Sequence, residues 1–375
     1  MRVNNIKDLR NYQKARRLSS HIPHLVLGKN FWSLYLAQKL KGKYGEENIK
    51  ILVPTHFSLN DLEFKGPTLF RGEENIKALK YCFPHISFPE ALNPLFYKDQ
   101  KLKSVGGRAQ LQGLQPAEDF FTQPGLPISR TEILQIDGRK LWEENKSLEL
   151  CYQLSSLSRE KIDQNNRWIL SCQDGSQFTC DQLYLTDAPH TIVPLLKKEG
   201  NFSNEMLEFC LSSKGPLSLE VEFKSNKIIT DHLETLLIPQ SQTYDWGHFL
   251  GEFSAADKQS NMQSFKFFSF LAEENSDNEE IIKKVKLIKR SLERIFPPMS
   301  KAKISEAIFL KKESPHAING PDFLFESISN SFNDLHFVSW WAPLKKDFLQ
   351  VKNLQFPSEI TLDTRALLSL QQILD

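Results

Sequence analysis

The stretch from His24 to Val53 limits the fold more than any other part of this chain. Leu25-Val26-Leu27 is a short, uninterrupted apolar run, the pattern of a strand covered on both faces. Gly28 ends it. Leu36, Ala37 and Leu40 then recur at helical spacing, and Ile49-Lys50-Ile51-Leu52-Val53 is a second apolar run. Strand, glycine turn, amphipathic helix and strand in that order make a βαβ unit, because parallel neighbours need a crossover of this kind. One such unit points to an α/β layout with helices over a parallel sheet.

The turn after the first strand is where a dinucleotide fingerprint, Gly-x-Gly-x-x-Gly, would stand. Its second glycine lets the backbone approach a pyrophosphate, and its third lets the helix pack on the strand. Here the three positions are Gly28, Asn30 and Ser33. Asn30 puts a side chain where a phosphate would lie, although Asn tolerates a left-handed backbone. Ser33 is small enough to keep the packing. Lys29 offers a compensating charge for an anion at the helix N-terminus. Phe31 and Trp32 are expected to fill or roof the space.

Composition narrows the function classes. The 375 residues suffice for a large core and two domains. The 47 basic and 46 acidic side chains leave no bulk charge to attract nucleic acid or an anionic membrane. Five cysteines without a Cys-x-x-Cys pair speak against a disulfide framework and a structural zinc; Cys151, Cys172 and Cys180 read as small core residues. His24, His56, His190 and His316 lack metal-ligand spacing, so no metal is assigned. No Gly-x-Ser-x-Gly elbow is present. Residues 1–20 form a polar, basic tail unlike a secretory signal, and no apolar run reaches the roughly 18 residues of a membrane span. A cytoplasmic protein is the expectation.

Further along, the pattern predicts a helix over Glu73–Tyr81, a hairpin turn within Tyr97–Lys101 and a short helix around Leu141-Trp142. Leu148–Leu154 and Arg167–Cys172 read as strands, the second turning back at Asp174-Gly175-Ser176. Gln182–Thr186 is an apolar strand ended by Asp187-Ala188-Pro189, with a helix starting at Thr191. Pro216–Phe223 alternates with period two. Thr235–Pro239, Trp246–Leu250, Ser264–Leu271, Ala302–Leu310 and Leu335–Trp341 are further strands. Ile281, Ile282, Val285, Ile288, Leu292 and Ile295 mark one face of a helix over Asn278–Phe296, which Pro297-Pro298 stop. Its side carrying Lys283, Lys284, Lys286, Lys289 and Arg290 is expected to be solvated. A helix over Leu362–Leu374 closes the chain.

In this order the parts resemble the flavin-dependent amine oxidase superfamily, in particular protoporphyrinogen oxidase and phytoene desaturase. The likeness covers residues 21 to 345 and rests on four places: the βαβ unit; Leu148–Leu196 with its Asp-Gly hairpin and Ala188-Pro189; Pro216–Phe296; and Ala307–Leu310 followed by Glu313-Ser314-Pro315-His316. The resemblance implies a Rossmann-type FAD/NAD(P)-binding domain with an inserted mixed-sheet α+β substrate-type domain. Residues 21–94, 141–215 and 330–375 would form the first, and 95–140 and 216–329 the second. It also implies FAD and oxidation of a carbon–nitrogen or carbon–carbon bond. The site residues it adds to Gly28, Lys29, Asn30 and Ser33 are the main chain near Leu154, as an adenine contact, and Ala188.

The departures bear on that cofactor. The second strand runs into Pro54-Thr55-His56, with no carboxylate for a ribose. The Gly-Gly-Arg triplet comes only at Gly106-Gly107-Arg108, and more simply reads as a surface turn. The last strand ends in Ser339-Trp340-Trp341-Ala342-Pro343, not in the family's Ala-Gly-Asp. Three readings follow. The first is a degenerate relative that has lost ordinary FAD binding and acts as a binding or regulatory protein, with a small molecule or protein as partner. The second is a divergent, active FAD-dependent oxidoreductase holding FAD through Gly28, Lys29 and the main chain near Leu154. The third, an NAD(P)-binding protein, is disfavoured by the missing carboxylate and by the lack of an Arg in its place.

Overall fold

The computed structural model describes residues 19–28, 30–53, 68–104, 123–128, 133, 137–162, 165–196, 204–213, 217–243, 247–271, 277–311, 333–339, 342–354 and 361–375. Lys29, Pro54–His56, Gly106–Arg108, Glu313–His316, Trp340-Trp341 and the tail up to residue 18 lie outside the described residues. In chain order the strands are β1 (Ser19–His21), β2 (His24–Leu27), β3 (Ile49–Val53), β4 (Thr68–Arg71), β5 (Leu95–Lys98), β6 (Lys101–Ser104), β7 (Gly125–Ile128), β8 (Glu149–Cys151), β9 (Leu154–Ile162), β10 (Asn165–Cys172), β11 (Gln177–Cys180), β12 (Gln182–Leu185), β13 (Leu217–Ser225), β14 (Leu236–Ile238), β15 (Phe249–Phe253), β16 (Gln263–Leu271), β17 (Ile304–Lys311) and β18 (Leu335–Phe337). The α-helices are α1 (Phe31–Tyr44), α2 (Glu73–Cys82), α3 (Gly138–Asn145), α4 (Asn204–Ser212), α5 (Asn278–Ile295), α6 (Lys346–Val351) and α7 (Leu362–Leu374).

Five strands pair in parallel in the order β8-β3-β2-β12-β18. The chain moves outward from β2 through β3 and β8 on one side and through β12 and β18 on the other. Strand order therefore reverses between β2 and β12, and the carboxyl ends of these two strands face a topological switch point. The apolar runs of these strands follow from burial on both faces. Val26, Ile51 and Val53 pack with α1, which buries Phe31, Trp32, Leu34, Leu36, Ala37 and Leu40. Leu25, Leu27, Leu52, Leu183 and Leu185 pack on the opposite side with Trp168, Leu170 and Phe209. Each large side chain buried here contributes roughly 1.5–3 kcal/mol.

A second sheet of seven strands runs β17-β13-β16-β15-β14-β5-β6. It is mixed, since β14 and β5 pair in parallel while its other neighbours are antiparallel. One face carries Leu219, Val221, Phe223, Phe265 and Phe267 against Val285, Ile288 and Leu292 of α5. Asp277 caps α5 by accepting from the Glu279 and Glu280 amides at 2.9 Å each. The β5–β6 turn has Asp99 and Gln100 at φ 52° and 58°, the left-handed pair a two-residue hairpin needs. A four-stranded sheet, β1-β11-β10-β9, and a two-stranded ribbon, β4-β7, complete the layout. Among the described residues no helix is long and apolar enough to cross a membrane.

Several local expectations change. The basic tail does not extend to residue 20, because Ser19–His21 form β1 and pair in parallel with Gln177–Thr179 of β11. The single strand expected over Leu148–Leu154 is broken: β8 ends at Cys151, and β9 begins at Leu154 in another sheet. The helix expected from Thr191 is a 3-10 turn over Pro189–Leu195 with Pro194 inside it, where proline removes a helix donor. Cys151 is exposed, unlike Cys172 and Cys180. Ile282 is 49% exposed despite its helical spacing, since it lies at the margin of the α5 stripe. Lys284 is not solvated: it is 7% exposed, its Nζ donates to the Phe270 carbonyl at 3.3 Å, and burial pushes its ammonium down to about 8.

Candidate functional site

The switch point is built from the ends of β2 and β12 and the start of α1. Gly28 leaves β2 at φ +130°, a conformation that side chains rarely adopt, and a Cβ there would collide with Thr186 Oγ1. Thr186 is held in place because its amide and hydroxyl both donate to the Leu27 carbonyl, at 3.0 and 3.1 Å. Glycine is thus required at this turn by β12 as well as by the backbone.

Asn30 and Ser33 replace the two missing glycines with a working motif. Asn30 is the N-cap of α1: its Oδ1 accepts from the Ser33 amide at 3.0 Å, while the Asn30 amide donates to Ser33 Oγ at 3.1 Å. This is a capping box. Ser33 Oγ in turn donates to the Asn30 carbonyl at 2.7 Å. The Asn30 amide nitrogen Nδ2 reaches across to β12, donating to the Thr186 carbonyl at 2.8 Å and to Asp187 Oδ1 at 3.1 Å. The Asp187 carboxyl also lies beside Gly28, 3.2 Å from where a Cβ would be. Burial pushes this carboxyl up to about 6, against the lowering effect of the Asn30 hydrogen bond. At neutral pH it is mostly ionised.

These groups do not match what a pyrophosphate needs in this seat. One first-turn amide, that of Ser33, is already bonded to a side chain. Asn30 occupies the approach that glycine leaves open. Asp187 places a negative charge beside the turn, and like charges in a poorly screened site repel. Phe31 and Trp32, expected to fill or roof the space, are buried in the core at 2% and 3% exposure.

The other sequence-derived positions are scattered around the same edge. The main chain near Leu154 lies past the carboxyl end of β8, where the Tyr152 amide donates to the Val53 carbonyl at 3.1 Å and the Gln153 carbonyl accepts from Gln173 at 2.8 Å. Leu154 pairs with Cys172 in the four-stranded sheet. The Ala188 carbonyl accepts from the amide and hydroxyl of Thr191, at 3.0 and 2.7 Å. Of the six candidate residues, Gly28, Asn30 and Ser33 are brought together; Leu154 opens β9 and pairs with Cys172, Ala188 is used in a local chain turn, and Lys29 lies outside the described residues. Beyond β18, the Ser339 hydroxyl is buried and finds no hydrogen-bond partner.

Sequence reasoning missed Asp187, which stood only as a strand-ending residue, and a buried pair between Arg71 and Glu252. Arg71 ends β4 and is fully buried; its Nη2 stands 4.0 Å from Glu252 Oε1 on β15. Glu252 Oε1 accepts from Thr235 Oγ1 at 3.1 Å. Burial pushes the Glu252 carboxyl up to about 7 and the Arg71 guanidinium down to about 9. The only sequence signal was a single charged residue in each of two short, mainly apolar strands, which is too common to single out. Among the described residues no cluster of three or more His, Cys, Asp or Glu could hold a metal ion.

No protein-family model matches the chain. No curated protein matches it either. Solved structures do. Cyclohexylamine oxidase from Brevibacterium oxydans superimposes with a TM-score of 0.54 at 6% identity, covering 94% of this chain and 99% of that one. A putrescine oxidase variant redesigned in its cofactor binding gives 0.53 at 7% identity, over 95% and 98%. A fatty acid isomerase from P. acnes gives 0.51 at 8% identity, over 94% and 98%. At such identities the likeness speaks for architecture alone: the chain shares the fold of these solved structures.

Proposed function

We propose that this protein is a degenerate member of the flavin amine oxidase type that no longer takes FAD in the ordinary seat and acts as a binding or regulatory protein. The observation that carries the reading is the Asn30 side chain, which caps α1 and ties the turn to Thr186 and Asp187. An anion site at a helix N-terminus depends on free backbone donors and positive potential. Here an internal amide takes a donor and an internal carboxylate takes the place beside the helix. We also propose that the five-stranded sheet belongs to the dinucleotide-type part, residues 21–94, 141–215 and 330–375, and the seven-stranded sheet to the substrate-type part, residues 95–140 and 216–329. The cytoplasm is the proposed location.

The test is a titration of the purified chain with FAD and with ADP, followed by flavin fluorescence and by calorimetry. The expected result is no saturable quenching and no heat at micromolar concentrations. A second reading, a divergent flavoenzyme, is favoured by the partnerless Ser339 hydroxyl at the carboxyl edge. Saturable FAD binding that Ser339→Ala weakens would support it and displace the first.

A further inference from the structure

β17 is an edge of the seven-stranded sheet: among the described residues it pairs with β13 alone. The Asn226 amide donates to the Lys303 carbonyl at 3.2 Å, so these two residues, one step before the ladder begins, turn their peptide groups toward each other. Along an antiparallel strand that direction alternates. Ser305, Ala307, Phe309 and Lys311 therefore bond to β13, and Glu306, Ile308 and Leu310 turn their N–H and C=O groups outward. Such a row is a template for another strand.

The side chains beside this row are apolar and exposed. On the α5 face, Glu306, Ile308 and Leu310 oppose Phe223, Val221 and Leu219. Ile308 and Leu310 are 44% and 41% exposed. α5 runs alongside, because Lys289 Nζ donates to Glu306 Oε2 at 3.0 Å. Lys284 reaches the carbonyl of Phe270, which opposes Ser218, itself opposite Lys311. The first turns of α5 thus lie toward the Leu310 end of β17. Ile282, Lys286 and Lys289, at i, i+4 and i+7, share the helix flank turned to the edge. Ile282 is 49% exposed; Lys286 is exposed and has no acidic partner among the described residues. Edge strands usually carry charge that deters pairing. Here the one charge that β17 presents on this face, Glu306, is already neutralised by Lys289.

A second copy of the chain complements this edge. Turned about a two-fold axis through Ile308, an identical β17 pairs antiparallel over residues 305–311. Glu306, Ile308 and Leu310 then meet Leu310, Ile308 and Glu306 of the other copy. All three turn their backbone outward, so each pair exchanges both backbone hydrogen bonds. Ile308 packs on its own copy across the axis with Leu310 beside it. Glu306 of each copy arrives at the Leu310 end of the other, on the flank that carries Lys286, and the two-fold repeats this match of charge in both halves.

We propose that the chain forms a two-fold dimer by antiparallel pairing of β17 with β17 of a second copy, with Ile308 at the axis and Glu306 of each copy against Lys286 of the other. This pairing does not depend on whether a cofactor binds.

Sedimentation equilibrium of the full chain, with hydrogen exchange at β17 read over the same concentrations, tests it. A dimer is expected to populate within about 1–100 μM, and protection of the Glu306, Ile308 and Leu310 amides is expected to rise with it. Ile308→Lys sets two ammoniums against each other at the axis and should raise the dissociation constant at least roughly tenfold. Lys286→Glu meets Glu306 and should raise it about threefold to fivefold. Val351→Lys, at an exposed position on α6, should leave it unchanged. Circular dichroism checks that each variant folds; if Ile308→Lys does not, the concentration dependence of β17 protection in the unmodified chain decides alone. A chain that stays monomeric throughout, a dimer indifferent to Ile308→Lys, or β17 amides protected equally at every concentration, as another stretch of this chain or a bound peptide would protect them, would overturn the proposal.

Discussion

The turn between β2 and α1 and the inner face of the seven-stranded sheet treat buried polar groups in opposite ways. At the turn, Asn30, Ser33 and Thr186 use one another: five side-chain bonds, from 2.7 to 3.1 Å, tie Asn30 and Ser33 to each other, to the Thr186 carbonyl and to Asp187. On the sheet, Glu252 Oε2 and Ser218 Oγ are left unbonded. The first place lies at the topological switch point, and there the polar side chains are bonded to one another.

Gly28→Ala should break the comparison most forcefully. A Cβ at φ +130° meets the bonded Thr186 hydroxyl, and strain plus collision should cost about 3–5 kcal/mol in urea unfolding. Asn30→Ala removes the cap and the link to β12 together; a loss of about 2 kcal/mol is expected. A change below a few tenths would mean the turn is not held as described.

Asp187→Asn sharpens the electrostatic side. The folded-state pKa, about 6, lies above the ordinary 3.8, so the native state holds the proton more tightly than the unfolded chain. Stability from this group is therefore full below about pH 4 and lost as pH rises to about 6. The variant should match the parent near pH 4 and exceed it at pH 8, by at most about 3 kcal/mol, the shift of a buried carboxyl. Urea midpoints at the two pH values read this directly. The smallest effect is on the sheet: Ser218→Ala removes a partnerless hydroxyl and should stabilise the chain by about 0.5–1 kcal/mol. Destabilisation there would mean that the hydroxyl is structural.

Local periodicity carried much of the fold. The Leu362–Leu374 helix, the Asn278–Ile295 helix and the alternating strand at β13 stand within a residue or two of where spacing puts them. Spacing could not reveal that Ser19–His21 pair with β11, because parallel pairing at a distance of 158 positions leaves no local trace. It also misjudged Lys284, whose position toward the sheet depends on the Phe270 carbonyl. Of the residues the sequence singles out, Gly28, Asn30 and Ser33 meet at the turn between β2 and α1. That Asn30 and Ser33 form a capping box was also in the sequence, as Asn-x-x-Ser before an apolar run. That they reach Asp187 was not, since it depends on β12 lying next to β2.

The absorption spectrum of the purified protein, before and after denaturation and after incubation with excess FAD and desalting, tests the central claim most directly. A chain whose switch point is closed by Asn30 and Asp187 should be colourless, release no flavin and retain none. A yellow protein with a flavin band that is released on denaturation, or one that keeps FAD stoichiometrically after desalting, would contradict the account.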